Sequence, residues 1–138
     1  MKIDPIQNGI VIDHITCGMG ARLYSLLKLD ALDVPVALIR NAPSKRLGKK
    51  DIIKIDAEID IDLDIIGYVD PGATVNIIKD GKAVEKKSID LPQTLTDVIK
   101  CTNPRCITST EQELKHVFRL VDREKREYRC VYCESRAD

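Results

Sequence analysis

β-branched residues crowd positions 10 to 15, Ile-Val-Ile-Asp-His-Ile, directly after Gly9, and predict a first strand. Gly18 and Gly20 then break the chain, and Ala21 to Leu29 sets Leu23, Leu26, Leu27 and Leu29 along one side of a helix. Val34 to Ile39 predicts the next strand. Asn41 to Gly48 predicts a loop, because Pro43 and Gly48 interrupt regular structure. Lys49 to Asp56 predicts a third strand, and Thr74 to Lys79 with Lys82 to Ser88 predicts a hairpin around Asp80-Gly81. One stretch is ambiguous. Residues 59 to 65 alternate apolar and acidic positions, which by period alone reads as a strand. A β-α-β-β-α-β order requires a helix there, Asp60 or Asp62 can cap it, and Ile61, Ile65 and Tyr68 have helical spacing. The expectation is a helix over 62 to 69, giving a two-helix domain on an antiparallel sheet.

After Leu91-Pro92 a partly apolar connector leads through Leu95, Val98 and Ile99 to a different kind of sequence. Cys101 and Cys106 form a C-x4-C pair, and Cys130 and Cys133 form a C-x2-C pair. Two such knuckles can bring four thiolates to the corners of a tetrahedron, the geometry of a structural zinc site with no open position for catalysis. The alternatives are a disulfide pair, unrelated thiols, or iron in a rubredoxin-like site. Five cysteines fit a disulfide framework poorly, and Met1 to Pro5 does not read as a secretory signal. A module of about 40 residues also buries too little apolar surface to fold without help, and a metal commonly supplies it. Between the knuckles, 116 to 130 predicts two strands and a charged turn. The division expected is 1–95 and 96–138, an α+β domain followed by a small all-β zinc ribbon.

The 138 residues carry 22 basic and 22 acidic side chains, so the chain lacks the positive excess of a general nucleic-acid binder. No apolar run has the length of a membrane span. The reading is a soluble protein of a reducing compartment. No catalytic constellation emerges: His14 and His116 fall in different predicted domains, and neither a nucleophile elbow nor a phosphate loop is present. Cys17 is either a nucleophile or, as a lone thiol after a strand, a buried and inert one.

Charged residues on the predicted strands suggest a ligand. Asp13-His14 closes the first strand, Lys50 and Lys54 lie on the third, and Lys86 and Lys87 follow the hairpin. Converging lysines can neutralise phosphates, a strand-borne carboxylate can accept from a base or ribose, and Asn76 adds an amide. The alternative is that these lysines are solvated surface charges. Two functional classes follow: a nucleotide-binding regulatory module, and a zinc-ribbon adaptor for nucleic acid or protein that lacks an effector site.

Gly9 to His14, Lys49 to Ile55, Ala73-Thr-Val-Asn76, Leu91-Pro92, Cys101-x4-Cys106-Ile107 and Cys130-x-Tyr-Cys-Glu134, in this order and spacing, resemble the regulatory chain of aspartate carbamoyltransferase over nearly the whole sequence. The resemblance implies a nucleotide-binding N-terminal domain with a ferredoxin-like sheet and a C-terminal domain holding one structural Zn2+. It implies no catalytic activity. By the same resemblance Ile6, Val11, Asp13, His14, Lys54, Asn76 and Lys86 fall on the nucleotide site, with Lys50 beside it, and CTP and ATP are the effectors. Pro5, Gly81 and Ala83 stand where the best-known pattern has a small residue, an aromatic and a larger aliphatic. Asn103, Arg105 and Glu134 flank the zinc knuckles where the family contacts its catalytic chain, and Arg105 and Ser135 differ from the usual residues. The implied assembly is cytoplasmic: regulatory homodimers bridge catalytic trimers into a dodecamer of six catalytic and six regulatory chains.

Overall fold

The computed structural model describes residues 5–137, which divide into two compact units with the boundary between Asp90 and Leu91. In the first unit, strands β1 (Gly9–Thr16), β2 (Val36–Ser44), β3 (Gly48–Ile55), β4 (Thr74–Lys79) and β5 (Lys82–Ser88) form an antiparallel sheet in the order β2-β3-β1-β4-β5. Helices α1 (Gly20–Leu26) and α2 (Leu63–Val69) complete the ferredoxin-like order. Side chains on a strand alternate between faces. One face therefore receives Ile10, Ile12, Ile15, Ile53, Ile55 and Val75, which are buried with Leu23, Ile66 and Val69 of the helices. Each such side chain taken fully out of water contributes about 1.5–3 kcal/mol. The other face carries Val11, Asp13, Ile52, Lys54 and Asn76, all only half-buried.

Several elements depart from expectation for identifiable reasons. Helix α1 does not reach Leu29: Lys28 takes a left-handed conformation (φ 55°) and ends it, and Leu29 is buried from a short 3-10 turn, Leu29–Ala31. The expected loop at 41–48 is only a tight turn over 45–47, with strand on either side of it. Strand β2 runs to Ser44, and Pro43 pairs with Lys49 because β2 is an edge strand, where a missing N–H need not break a ladder. The ambiguous segment resolves as the helix α2. Asp62 is its N-cap, the carboxylate accepting from Asp64 N at 3.0 Å. At the hairpin, Asp80 (φ 52°) and Gly81 (φ 77°) both adopt positive φ, as a type I′ turn requires.

In the second unit β6 (Thr94–Thr96), β7 (Val117–Asp122) and β8 (Glu127–Cys130) form a three-stranded antiparallel sheet of zinc-ribbon type. Strand β6 lies in the stretch read as a connector, so the expected division after residue 95 falls inside a strand of this sheet. Leu95 faces Phe118, and both are buried with Tyr128. The inward position on β7 is thus Phe118, while Arg119 and Val121 are exposed.

Candidate metal centre and candidate effector face

The four cysteines of the knuckles converge. Their sulfurs lie within 4.8 Å of one another, Cys101 Sγ to Cys133 Sγ being 3.6 Å and Cys106 Sγ to Cys130 Sγ 3.7 Å. A tetrahedron with metal–sulfur bonds of about 2.3 Å has edges of about 3.8 Å, so the donor set fits a closed four-coordinate site. These separations are far beyond a disulfide bond of about 2.05 Å, and all four thiols are free.

Local structure builds each corner. Cys106 N donates to Asn103 O, Glu134 N donates to Cys130 O, and Glu134 turns with φ 62°, which curls both knuckles around the centre. Burial pushes the Cys101 thiol up to about 12 and raises Cys130. A hydrogen bond with the Thr108 hydroxyl, 3.1 Å from the sulfur, lowers Cys106, and hydrogen bonding to Ser135 brings Cys133 down to about 6. Burial thus favours the neutral thiol at Cys101 and Cys130, so bringing all four sulfurs to the thiolate form requires a cation between them. Of the residues flanking the knuckles, Asn103 donates to Ser135 Oγ at 3.1 Å and accepts from Arg105 N at 3.0 Å, and Glu134 pairs with Arg119 at 3.2 Å.

The open face of the first unit gathers most of the other candidates. Lys54 stands beside Val11, Val11 beside Asn76, and Asn76 beside Lys86, making a row across β3, β1, β4 and β5. Three inter-strand spacings give it a reach of about 15 Å. Ile6, Val11, Asp13 and Lys54, with Pro5, Ile52, Ile78 and Gly81, line a shallow cavity of about 330 Å³ next to it. Lys50 joins from β3, its ammonium 2.9 Å from Asp13 Oδ1. Burial pushes the Asp13 carboxyl up, but hydrogen bonds from Lys50 and the His14 N–H and the Lys50 charge outweigh it and hold the group below its ordinary value. His14 occupies a bulge in β1 with φ 57°, and its Nδ1 is 3.0 Å from Thr74 Oγ1.

Two findings lie outside the sequence reading. Cys17 is exposed, not buried: it follows the end of β1, and its thiol donates to Asn41 Oδ1 at 2.7 Å. Asp51, unremarked in the sequence, is fully buried. Period-2 spacing was the available signal, since Asp51, Ile53 and Ile55 share the inward face of β3.

Strand order and sulfur geometry define a class of protein: a ferredoxin-like domain followed in the same chain by a four-cysteine, zinc-ribbon metal-binding domain. The comparisons agree with each half. Residues 1–90 match the family described as aspartate carbamoyltransferase regulatory chain, allosteric domain, and residues 93–138 match its metal binding domain. The chain is 51% identical over 134 residues to the aspartate carbamoyltransferase regulatory chain of Clostridium acetobutylicum, covering 97% of this chain and 92% of that one. It is 52% identical over 135 residues to that of Clostridium tetani (97% and 94% covered) and 49% identical over 137 residues to that of Bifidobacterium longum (99% of each). The chain belongs to the aspartate carbamoyltransferase regulatory chain family. It is a regulatory chain and not a catalytic one.

Proposed function

We propose that this chain is the allosteric subunit of a pyrimidine-biosynthetic aspartate carbamoyltransferase, taking CTP- and ATP-type nucleotides on the open face of its first domain. The observation that carries this reading is the row Lys54–Val11–Asn76–Lys86 beside the cavity that Ile6 and Asp13 help to line. Lys54 and Lys86 supply charge for a triphosphate, Ile6 and Val11 an apolar seat for base or sugar, and Asn76 and Asp13 acceptors for amino and hydroxyl groups. Lys50 tempers Asp13, and His14 completes the edge at the bulge.

Cys101, Cys106, Cys130 and Cys133 hold one Zn2+ in this reading, and the ion supplies folding energy to the second domain. That domain contacts the catalytic chain through the surface around Asn103, Arg105 and Glu134. Regulatory homodimers then bridge catalytic trimers into a cytoplasmic dodecamer of six and six chains. Among the described residues no helix is long and apolar enough to cross a membrane. Nucleotide binding shifts two quaternary states through a coupling of about 1–3 kcal/mol, enough for a useful change in activity.

The test is Lys54→Ala in the metal-loaded chain, with CTP and cytidine titrated in parallel. A phosphate role predicts a large loss for CTP and little for cytidine. Equal losses for both refute it.

A further inference from the structure

Asp51 sits on the inner face of β3 with none of its surface exposed. A carboxylate is taken out of water only where donors replace the solvent. Among the described residues those donors are backbone N–H groups. Asp51 Oδ2 accepts from Gly18 N and Gly20 N, each at 3.0 Å, and Oδ1 accepts from Asn41 N at 3.1 Å. The donors come from two places: Gly18 and Gly20 follow the end of β1, and Asn41 (φ 60°) lies within β2.

Both neighbours of β3 are irregular at this level. Strand β1 slips register between Ile12 and Ile15, the interval that holds Asp13 and His14, and β2 slips between Ile39 and Ala42, the interval that holds Asn41. Pairing resumes with Ile15 opposite Asp51 and with Thr16 and Ala42 opposite Lys50. Bulges leave residues out of the ladder, so something else must fix the strands' relative placement there. The Asp51 carboxylate bonds to segments on both sides. Its fit is close: a Cβ on Gly20 would stand 2.8 Å from Oδ2. Lys50 is the next residue along β3 and faces the opposite way, toward Asp13.

We propose that Asp51 is a positioning residue of the effector site: by fastening the exit of β1 and the bulge of β2 to β3, its carboxylate sets the separation of Lys50 and Asp13, and with it the grip on a nucleoside triphosphate. This inference rests on reading the open face as a nucleotide site. A purely structural Asp51 would lower the stability of the domain and leave the properties of the Lys50–Asp13 pair unchanged.

The experiment uses full-length, metal-loaded Asp51→Asn, which keeps the shape and turns one acceptor into a donor facing backbone N–H groups. The expected result is CTP binding weaker by at least about tenfold, the scale of one lost charge-assisted hydrogen bond, with cytidine changed less than about twofold. The Asp13 titration, followed by carboxyl NMR, moves up toward its ordinary 3.8. A lower melting temperature with the CTP-to-cytidine ratio and the Asp13 titration unchanged overturns the proposal. Wild-type protein that binds neither CTP nor ATP refutes the nucleotide reading instead, and the Asp13 titration still decides whether Asp51 positions the pair. Should the variant not fold, amide exchange in the wild type decides: CTP, but not cytidine, slows exchange at Gly18, Gly20 and Asn41, and unchanged exchange overturns the proposal.

Discussion

Lys50 and Asp13 form a 2.9 Å ion pair where β1 bulges beside β3, with both side chains mostly shielded from solvent. The pair holds a carboxylate in its charged form on the face where a triphosphate is proposed to bind. It thus keeps that face from carrying unopposed negative charge.

The pair also sets a pH dependence. The folded Asp13 titrates below its ordinary 3.8, so its stabilisation is fully present above that value and is lost as pH falls through the folded one. Lys50→Ala removes the principal cause, so the Asp13 titration moves upward and this part of the acid sensitivity disappears. Carboxyl NMR across the acid range checks it, and an unmoved Asp13 titration would show that the ion pair is not the cause.

Metal removal separates the two domains energetically. Four thiolates on a structural zinc contribute on the order of 10 kcal/mol to folding a small module. A chelator, or Cys130→Ser, therefore melts the unit 91–138 and leaves the ferredoxin-like sheet folded, as separate NMR signals would report. The same samples can be counted with a thiol reagent. In the metal-loaded chain only exposed Cys17 reacts readily, whereas all five cysteines react after chelation.

Within the second domain the buried Tyr128 hydroxyl donates to Pro92 O at 2.5 Å and ties the start of the unit to β8. Tyr128→Phe keeps the ring and leaves that carbonyl without this donor. The expected loss is about 1–3 kcal/mol, measured by thermal unfolding of the metal-loaded protein.

Gly20→Ala tests the space around Asp51. Helix propensity favours alanine by about 1 kcal/mol. The new methyl, however, would meet Asp51 Oδ2 and Leu38 Cδ1 at 2.8 Å in a buried place, and overpacking of this kind costs about 1–3 kcal/mol. Sterics should win, and the variant should unfold at lower denaturant. A stabilised variant would mean that the turn after β1 is looser than its hydrogen bonds imply.

What could be read from the sequence was governed by locality. The cysteine knuckles and Asp80-Gly81 are short motifs whose geometry follows from their own spacing, and both fold as expected. Helix α2 required the whole β-α-β-β-α-β order, because the alternation of residues 59 to 65 argued for a strand. Strand β6 escaped because three residues between Gln93 and Asp97 have no period of their own and are defined by pairing with β7. Pro43 misled for a related reason: its place in a sheet depends on β2 being an edge. Asp51 is the instructive miss. Its inward register was readable, but the donors that make its burial tolerable come from Gly18, Gly20 and Asn41, distant in sequence.

The most direct measurement is a calorimetric titration of the metal-loaded chain with CTP and ATP, first alone and then with its catalytic chain. Saturable binding at one main site per chain, altered in affinity by the catalytic partner, is the predicted result. No binding under either condition would contradict it and leave a metal-stabilised assembly subunit without an effector site.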